Sequence, residues 1–562
     1  MTSRRLPDGG SWIDRSKPLS FRFDGVEYEG FEGDTLASAL LANGVIAGFR
    51  SPILGRPRAV MTAGPEEPNA FVEISEPWFD SIVAATMVEL VDGLVAEPRA
   101  GIGRLPAAVV RPRPAEHRHV HVESLVVGGG PSGRAAATAA ASRGDRVMIV
   151  DERHRIDDPP EEVTVLPRTT ALGVYDDGYV VALERSPDIE RLWHVRAGRV
   201  ILATGATERP IAFAGNDRPG VMLASAAASY LRRFGVLVGD RPSLITTNDW
   251  GGNALDWLGE HGADPAVKID LRRRAVIETL PDHGPLLVSG GWTPNLTLWR
   301  AIGGSLRYDE RLACFVPDEG PPWLEVAGTA AGEGLPASAP VWFLDGDRSA
   351  AFVDMQRDQT VADVAEAVDA GLVSVEHVKR ATYIGTAIDQ GRTSGVLAAA
   401  IVNQLLEAGP DAQGPTSARP PTVPVSYAAI AGPDRGDLLD PIRRTRIHSW
   451  HEEHGAVFED VGQWKRPRYF PRDEDLDAAV ARECLAVRNG AGVLDASTLG
   501  KIEVVGPDVA AFLDRMYTNR MSTLPVGSIR YGFMLGVDGM VADDGVAMRL
   551  AEDRFLVTTT TG

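Results

Sequence analysis

Gly128, Gly130 and Gly133 stand in "VVGGGPSGRAAATAAA", a GxGxxG spacing between the apolar residues 125–127 and an alanine-rich segment of helical character. A second apolar run, residues 147–150, ends in Asp151 and Glu152, about 20 residues beyond the glycines. Strand, glycine turn, helix, strand and acid, in that order, form the context in which this spacing binds a dinucleotide. The first glycine permits the tight turn, the second lets backbone approach a pyrophosphate, and the third lets helix pack on strand. The helix N-terminus then faces the phosphates, and Asp151 or Glu152 accepts from a ribose hydroxyl. The alternative is a Rossmann fold that keeps its shape without its ligand.

The elements that must position such a site are legible around it. "RVILATGATERP" reads as a buried strand ending at Thr204 and Gly205, and "GPLLVSGGWTPNLTL" as another ending at Gly290 and Gly291. Two strand ends of this kind downstream of GxGxxG let backbone pass close to a dinucleotide and point to an architecture with two dinucleotide-binding folds. Upstream, Phe21, Phe23, Val26 and Tyr28 alternate around Asp24-Gly25, a hairpin signal, and Asp34 and Thr35 can cap the helix beyond them. A hairpin and one helix suggest a β-grasp unit. "LLEAGPDAQGPTSARPPTVPV" reads as an extended linker. His448, His451 and His454 are spaced by three and drift off one helix face, so no metal site is expected there; Trp450 and Trp464 supply packing.

Composition bounds the function. The chain has 562 residues, 44% hydrophobic and 24% charged, with a formal net charge of -20. That length exceeds a single core and predicts about three or four domains. The acidity argues against nucleic acid or an anionic membrane as a partner. The two cysteines, Cys314 and Cys484, lie outside any CxxC, so neither a thiolate zinc site nor an iron-sulfur cluster is expected, and both read as inert thiols. No apolar h-region opens the chain and no apolar run approaches the ~18 residues of a membrane span, so a soluble cytoplasmic protein is expected.

Several segments, in order, resemble the alpha subunit of heterotetrameric sarcosine oxidase: "DGVEYEGFEGDTLASALLANGV", "RPRAVMTAGPEEPNAFVEI", "ATGATERPIAFAGNDRPGVMLASAAASYL", "VSGGWTPNL", "GVLDASTLGKIEVVG" and "TNRMSTLPVGSIRYGFML". The resemblance implies an α/β and α+β multidomain chain. Its parts would be a cluster-free, 2Fe-2S ferredoxin-like β-grasp domain at 1–110, a Rossmann-type FAD/NAD(P)-binding region at 111–350 holding NAD, a helical connection at 351–407, a linker at 408–425 and an incomplete aminomethyltransferase-like, folate-binding domain at 426–562. It also implies partners. A beta subunit would carry FAD and covalent FMN and oxidise sarcosine, with gamma and delta subunits completing the complex. The one-carbon unit would reach tetrahydrofolate, yielding glycine, hydrogen peroxide and 5,10-methylenetetrahydrofolate.

The same resemblance assigns the folate chemistry to Asp543 and Asp544 in "GMVADDGVAMRL", with Tyr531 and Asn519 as further candidates for the pocket. A carboxylate near the pterin nitrogens can hold the ring or exchange a proton. Strand neighbours point to opposite faces, so one aspartate is expected to face folate, with Asp544 favoured. The terminal "VADDGVAMRLAEDRFLVTTTTG" reads as strand, turn and strand, and the chain is expected to be a C-terminally truncated form of a longer subunit. Departures from the family pattern come after "DERHR", within "RPSLITTNDWGGNALDWLGEHGADP" and after Gly328 and Gly332, each shorter than a complete crossover would need. Two other readings compete: a non-catalytic assembly fragment without nucleotide, and an independent FAD-dependent oxidoreductase.

Overall fold

The computed structural model describes residues 4–104, 113–273, 281, 284–434 and 440–561; the expected boundary near residue 110 lies outside them. The chain divides into two units, Met1–Pro433 and Asp434–Gly562. In the first unit, the hairpin Asp14–Phe23 and Val26–Glu32 closes through Asp24 and Gly25, both at positive φ, +50° and +75°. Thr35 and Ser38 form a reciprocal capping box, starting a helix at Leu36–Ala42 whose every residue is buried. The hairpin joins Leu94–Arg99 in parallel, and Phe71–Glu76 and Asp80–Ala84 extend the sheet to five strands. This is the β-grasp arrangement.

A second sheet carries the glycine loop. Thr164–Leu166, Val147–Val150, Ala115–Val127 and Glu190–Leu202 run parallel, and Leu324–Val326 joins the last of these. Tyr179–Arg185 and Thr169–Tyr175 add an antiparallel meander. The strand entering the loop begins at Ala115, well before the apolar residues 125–127 that mark it in sequence. Its first half is polar because it pairs with the equally long Glu190–Leu202 away from the buried end, and only its last four residues are buried. The helix Pro131–Ala141 covers the buried end through Ala137 and Ala140 against Val126, Ile149 and Ile201. No helix lies between Val150 and Thr164, and after Ala327 a single 3-10 turn, Gly328–Ala331, stands among the described residues where a longer helix would close a crossover.

A third sheet, Val221–Leu223, Leu286–Ser289, Ser243–Thr246 and Lys268–Asp270, is wholly parallel and packs helices Ala224–Phe234 and Asp249–Glu260. Three helices, Val361–Asp369, Val375–Thr382 and Gly395–Leu405, form a separate apolar cluster. The expected linker is extended but not free. Thr422 N–H donates to the Leu172 carbonyl at 2.9 Å, and Val423 and Val425 pack with Leu172, Leu183 and Leu192. Apolar valines and hydrogen bonds from Thr422 together hold this Pro-rich stretch to the meander.

In the second unit, Gly500–Val505, Arg554–Thr559, Val541–Ala551 and Ile529–Leu535 form one antiparallel sheet. Helix Val509–Met516 supplies Val509 and Leu513 to a core with Tyr517, Met521, Ala547, Phe555 and Val557. Period-2 alternation leaves Ile529, Tyr531, Phe533 and Leu535 exposed. Among the described residues, no helix is long and apolar enough to cross a membrane.

Arg58 ties the first unit together. Its side chain, 1% exposed, pairs with Asp217 at 2.7 Å and with Asp358 at 2.5 Å, and its guanidinium lies 4.8 Å from the Phe352 ring centroid. Asp358 also accepts from the Ile53 and Leu54 N–H groups, each at 2.9 Å. Removing one carboxylate leaves a buried cation under-compensated, which typically costs about 3–5 kcal/mol. Asp358→Ala is therefore expected to lower unfolding stability by about that amount in urea denaturation; a loss below about 1 kcal/mol, the range of surface pairs, would show that the cluster does not hold these segments together.

Candidate functional site

The glycine loop and the segments around it enclose a cavity of about 410 Å³ in the first unit. Gly128 turns away from the strand end with φ +109°, and a Cβ there would stand 2.2 Å from the Ala203 carbonyl oxygen. A Cβ at Gly133 would stand 1.9 Å from the Gly128 carbonyl oxygen. Neither position admits a side chain. Gly130 is different, since nothing lies within 4 Å of where its Cβ would be. It caps the helix Pro131–Ala141, proline occupies the first turn, and no side chain caps the helix, so its first N–H groups remain for an anion.

The two acids after the second strand divide their work. Asp151 accepts from the Gly129 N–H at 2.6 Å and pairs with Arg153 at 2.7 Å, so its carboxylate shapes the glycine loop. Glu152 lines the same cavity and pairs with Arg392 at 3.2 Å, leaving it the freer acceptor. Thr204 and Gly205 form part of the opposite wall, clasped by Asn295: the Thr204 hydroxyl donates to the Asn295 carbonyl at 2.7 Å, and the Asn295 amide donates to the Thr204 carbonyl at 3.0 Å. Gly290 and Gly291 do not line the cavity. Gly290 makes room for the Arg209 and Pro210 carbonyl oxygens and for Ile211, and Gly291 for the buried Arg209 guanidinium, which lies 2.6 Å from a Cβ built there and donates to the Gly290 carbonyl at 2.6 Å.

Sequence spacing did not reveal Glu66, Glu208 or Arg392, each delivered to the cavity from a distant segment. Burial raises the Glu66 carboxyl, with Arg392 and Arg233 acting against the shift. Glu208 accepts from the Ser225 N–H at 2.7 Å through one oxygen, while its other oxygen is buried without a partner among the described residues. Burial pushes its pKa up to about 7. A neutral carboxyl at this wall can donate to a ligand as well as accept from it.

In the second unit, the sheet register sorts the four folate candidates onto two faces. Asp544 stands opposite Phe533, and Asp543 opposite Met534. Asp543 shares the face of Met534 and Gly532, where Tyr517 and Met521 pack; its carboxylate accepts from the Thr560 hydroxyl and the Asp544 N–H, each at 2.7 Å, and the Thr560 bond holds its pKa down. Asn519 lies on that side too, 3.2 Å from a Cβ built on Gly532. Asp544 is on the open face with Tyr531, whose hydroxyl donates to it; that bond raises the Tyr531 pKa. Tyr531 and Phe533 meet edge to face at 5.4 Å beside this carboxylate. His448, His451 and His454 go to separate partners, Glu452, Asp495 and the Trp450 ring. Burial pushes the Cys314 thiol up to about 11, and Cys484 is exposed.

Comparison with known proteins covers these segments. Residues 16–101 match the family described as "2Fe-2S iron-sulfur cluster binding domain", although no cysteine occurs among them. Residues 348–433 match "Sarcosine oxidase A3 domain", and residues 447–562 match "GCVT N-terminal domain". Sarcosine oxidase subunit alpha of Corynebacterium sp. (strain P-1) is 42% identical over 695 aligned positions, covering 100% of this chain and 72% of that protein. The alignment is longer than this chain's 562 residues, so the relative carries residues that stand opposite gaps here. The corresponding protein of Rhizobium meliloti (strain 1021) is 36% identical with the same coverage, 100% and 72%. L-proline dehydrogenase from P. horikoshii shares the fold, with a TM-score of 0.60 at 21% identity over 74% of this chain and 98% of that one. A β-grasp unit, a two-sheet dinucleotide-type region and an aminomethyltransferase-like sheet in one chain, with identity of this extent, place it in the sarcosine oxidase alpha-subunit family.

Proposed function

We propose that this chain is the one-carbon-receiving component of a sarcosine-oxidising assembly, with NAD held at the glycine loop and tetrahydrofolate bound as substrate against Asp544. Amine oxidation, with its FAD and covalent FMN, is assigned to a beta partner; gamma and delta partners complete the complex, and the chain alone turns over no sarcosine. The observation that carries the reading is the Asp544–Tyr531 pair on the open sheet face, a carboxylate beside exposed aromatic surface.

A flavin held by the partner would supply the two-electron oxidation: sarcosine would give up two electrons and two protons, oxygen would end as hydrogen peroxide, and the methylene iminium of glycine would be passed to this chain. Both N5 and N10 of tetrahydrofolate then bond to that carbon as its bond to the glycine nitrogen breaks, and the two N–H protons end on glycine. Asp544 orients the pterin by accepting from a ring N–H and relays a proton during this exchange. Tyr531 holds the Asp544 carboxylate by donating to it, and Phe533 gives the ring an apolar edge. Asp543, tied to Thr560, fixes the strand end instead.

At the glycine loop the residues fit a dinucleotide: the open side of Gly130 and the uncapped first turn take the pyrophosphate, Glu152 takes a ribose hydroxyl, and Glu208 offers its unpartnered oxygen to the remaining part of the ligand. NAD, when bound, supplies either a hydride site or a structural filling.

Three outcomes test these assignments. Denaturing the purified chain and identifying what it releases is expected to yield about one NAD and no flavin per chain; an empty chain would remove NAD from the reading, and released FAD would make it an independent flavoprotein. In the assembled complex, Asp544→Ala is expected to spare peroxide formation while lowering methylenetetrahydrofolate yield about 100-fold, the low end for a lost proton-transfer group. Equal loss of both would contradict the assignment. Glu208 binds its proton more tightly in the fold, with a pKa near 7 against 4.5 for the ordinary group. Its cost is therefore absent below about pH 4.5, grows as pH rises through 7, and reaches about 3 kcal/mol above that. Glu208→Gln is expected to raise the melting temperature at pH 8 more than at pH 5; an equal change at both pH values would show that the carboxyl is not held neutral.

A further inference from the structure

Beside the dinucleotide cavity lies a second and larger one, of about 1170 Å³, and the two share Gly130, Arg153, Ser225, Ser229, Arg233 and Trp292. Its walls come from the glycine loop, the helices Ala224–Phe234 and Asp249–Glu260, and residues 153–159, where the chain runs from the second strand without a helix. Trp250, Trp257 and Trp292 supply an aromatic surface, with Trp250 and Trp292 edge to face at 5.1 Å. The Trp292 indole N–H is buried and has no acceptor among the described residues.

Charge in this cavity is uneven. Arg134, Arg153, Arg155, Arg232 and Arg233 line it, against Asp157 and Asp158. Arg134 donates to the Asp157 and Asp158 carbonyls, Arg153 pairs with Asp151, and Arg155 pairs with Asp157 at 3.5 Å. Arg232 and Arg233 are left over. Neither side chain has a hydrogen bond or ion pair among the described residues, and Arg233 rests on the Trp12 ring at 4.6 Å. Burial pulls the Arg233 pKa down and the neighbouring Arg153 adds to the shift, while Glu66 and Asp157 oppose it. A half-buried guanidinium beside two other cations is costly without an anion, and three tryptophans lining the same cavity offer stacking area.

We propose that this cavity is a second ligand site, distinct from the dinucleotide site, which takes a planar aromatic monophosphate of mononucleotide size. Arg232 and Arg233 hold the phosphate, Trp250 and Trp257 face the ring, and Trp292 donates its indole N–H to the ligand. The site does not require that NAD be the ligand next door. One wall is supplied by residues 153–159, part of an irregular connection that holds no helix.

The test uses the full chain and AMP as probe, titrated by calorimetry and by tryptophan fluorescence, with and without saturating NAD. AMP is expected to bind and quench in both conditions, and Arg232→Glu or Asn253→Asp to weaken it at least tenfold. Arg232 and Asn253 are exposed and line only this cavity, so both variants are expected to fold, and both should keep their NAD content. AMP that binds only when NAD is absent, or that binds the variants as tightly as the parent, would overturn the proposal and make the cavity an outer part of the dinucleotide site. Absence of NAD binding with variant-sensitive AMP binding would leave this site standing and remove only the NAD assignment.

Discussion

A single buried cation sets the geometry of the first unit. Arg58 comes from the β-grasp segment, Asp217 from the chain between the two dinucleotide-type sheets, and Asp358 from the approach to the helices at 361–405. A buried pair gains little over apolar packing, but one partner without the other is expensive, so the cluster acts mainly as a specification of which segments meet. The chain leaving Arg58 and the chain leaving Asp358 each go on to build cavity wall. Beyond Arg58 the Met61 carbonyl accepts from the Leu223 N–H and the Thr62 carbonyl from the Tyr230 hydroxyl, and the chain then presents Glu66. Beyond Asp358 the helical region brings Asp389 and Arg392. Docking of the β-grasp segment and completion of this cavity wall are therefore coupled.

The same long-range docking divides the features legible in the sequence from those hidden in it. The turn geometry of GxGxxG is local: Gly128 and Gly133 are each forced by a backbone oxygen nearby, whereas nothing crowds Gly130 at the helix start. The hairpin at Asp24-Gly25 and the cap at Thr35 are local in the same way. Glu66, Glu208 and Arg392 reach the site through long-range packing, and no spacing encodes that. Gly290 and Gly291 show the opposite error. Their strand-then-glycine pattern matched a ligand approach, but what approaches is the 209–211 segment at Gly290 and the Arg209 side chain at Gly291. A glycine records that something passes close; it does not record what.

The paired aspartates show how one rule of strand geometry separates roles that composition cannot. Asp543 and Asp544 are adjacent and chemically identical, yet alternation sends one toward Tyr517 and the packed face and the other toward Tyr531 and open surface. Burial does not decide between them, since both are partly exposed. The partners do. Asp543 accepts from strand-end groups that fix it, and the Asp544 carboxylate accepts only from Tyr531 among the described residues, which leaves lone pairs for another donor. The register that makes this distinction is set by Ala547, Phe555 and Val557 in the core, because a one-residue slip would exchange the two carboxylates.

The chain's net charge of -20 sharpens the meaning of the arginine-lined cleft. Over most of the surface an anion is repelled, but screening at physiological salt limits that repulsion to about 8 Å. Inside the cleft the balance reverses, with five arginines against two aspartates on the walls. Two of those cations lack a hydrogen-bonding or ionic partner among the described residues, in a chain whose acidic residues outnumber its basic ones, 77 to 57. Supplying a carboxylate there would have been simple, since Glu66 and Asp157 already stand near Arg233 without touching it. The physical consequence is a small region of positive potential with aromatic walls in an acidic protein, and its attraction is felt only by an anion that has already entered.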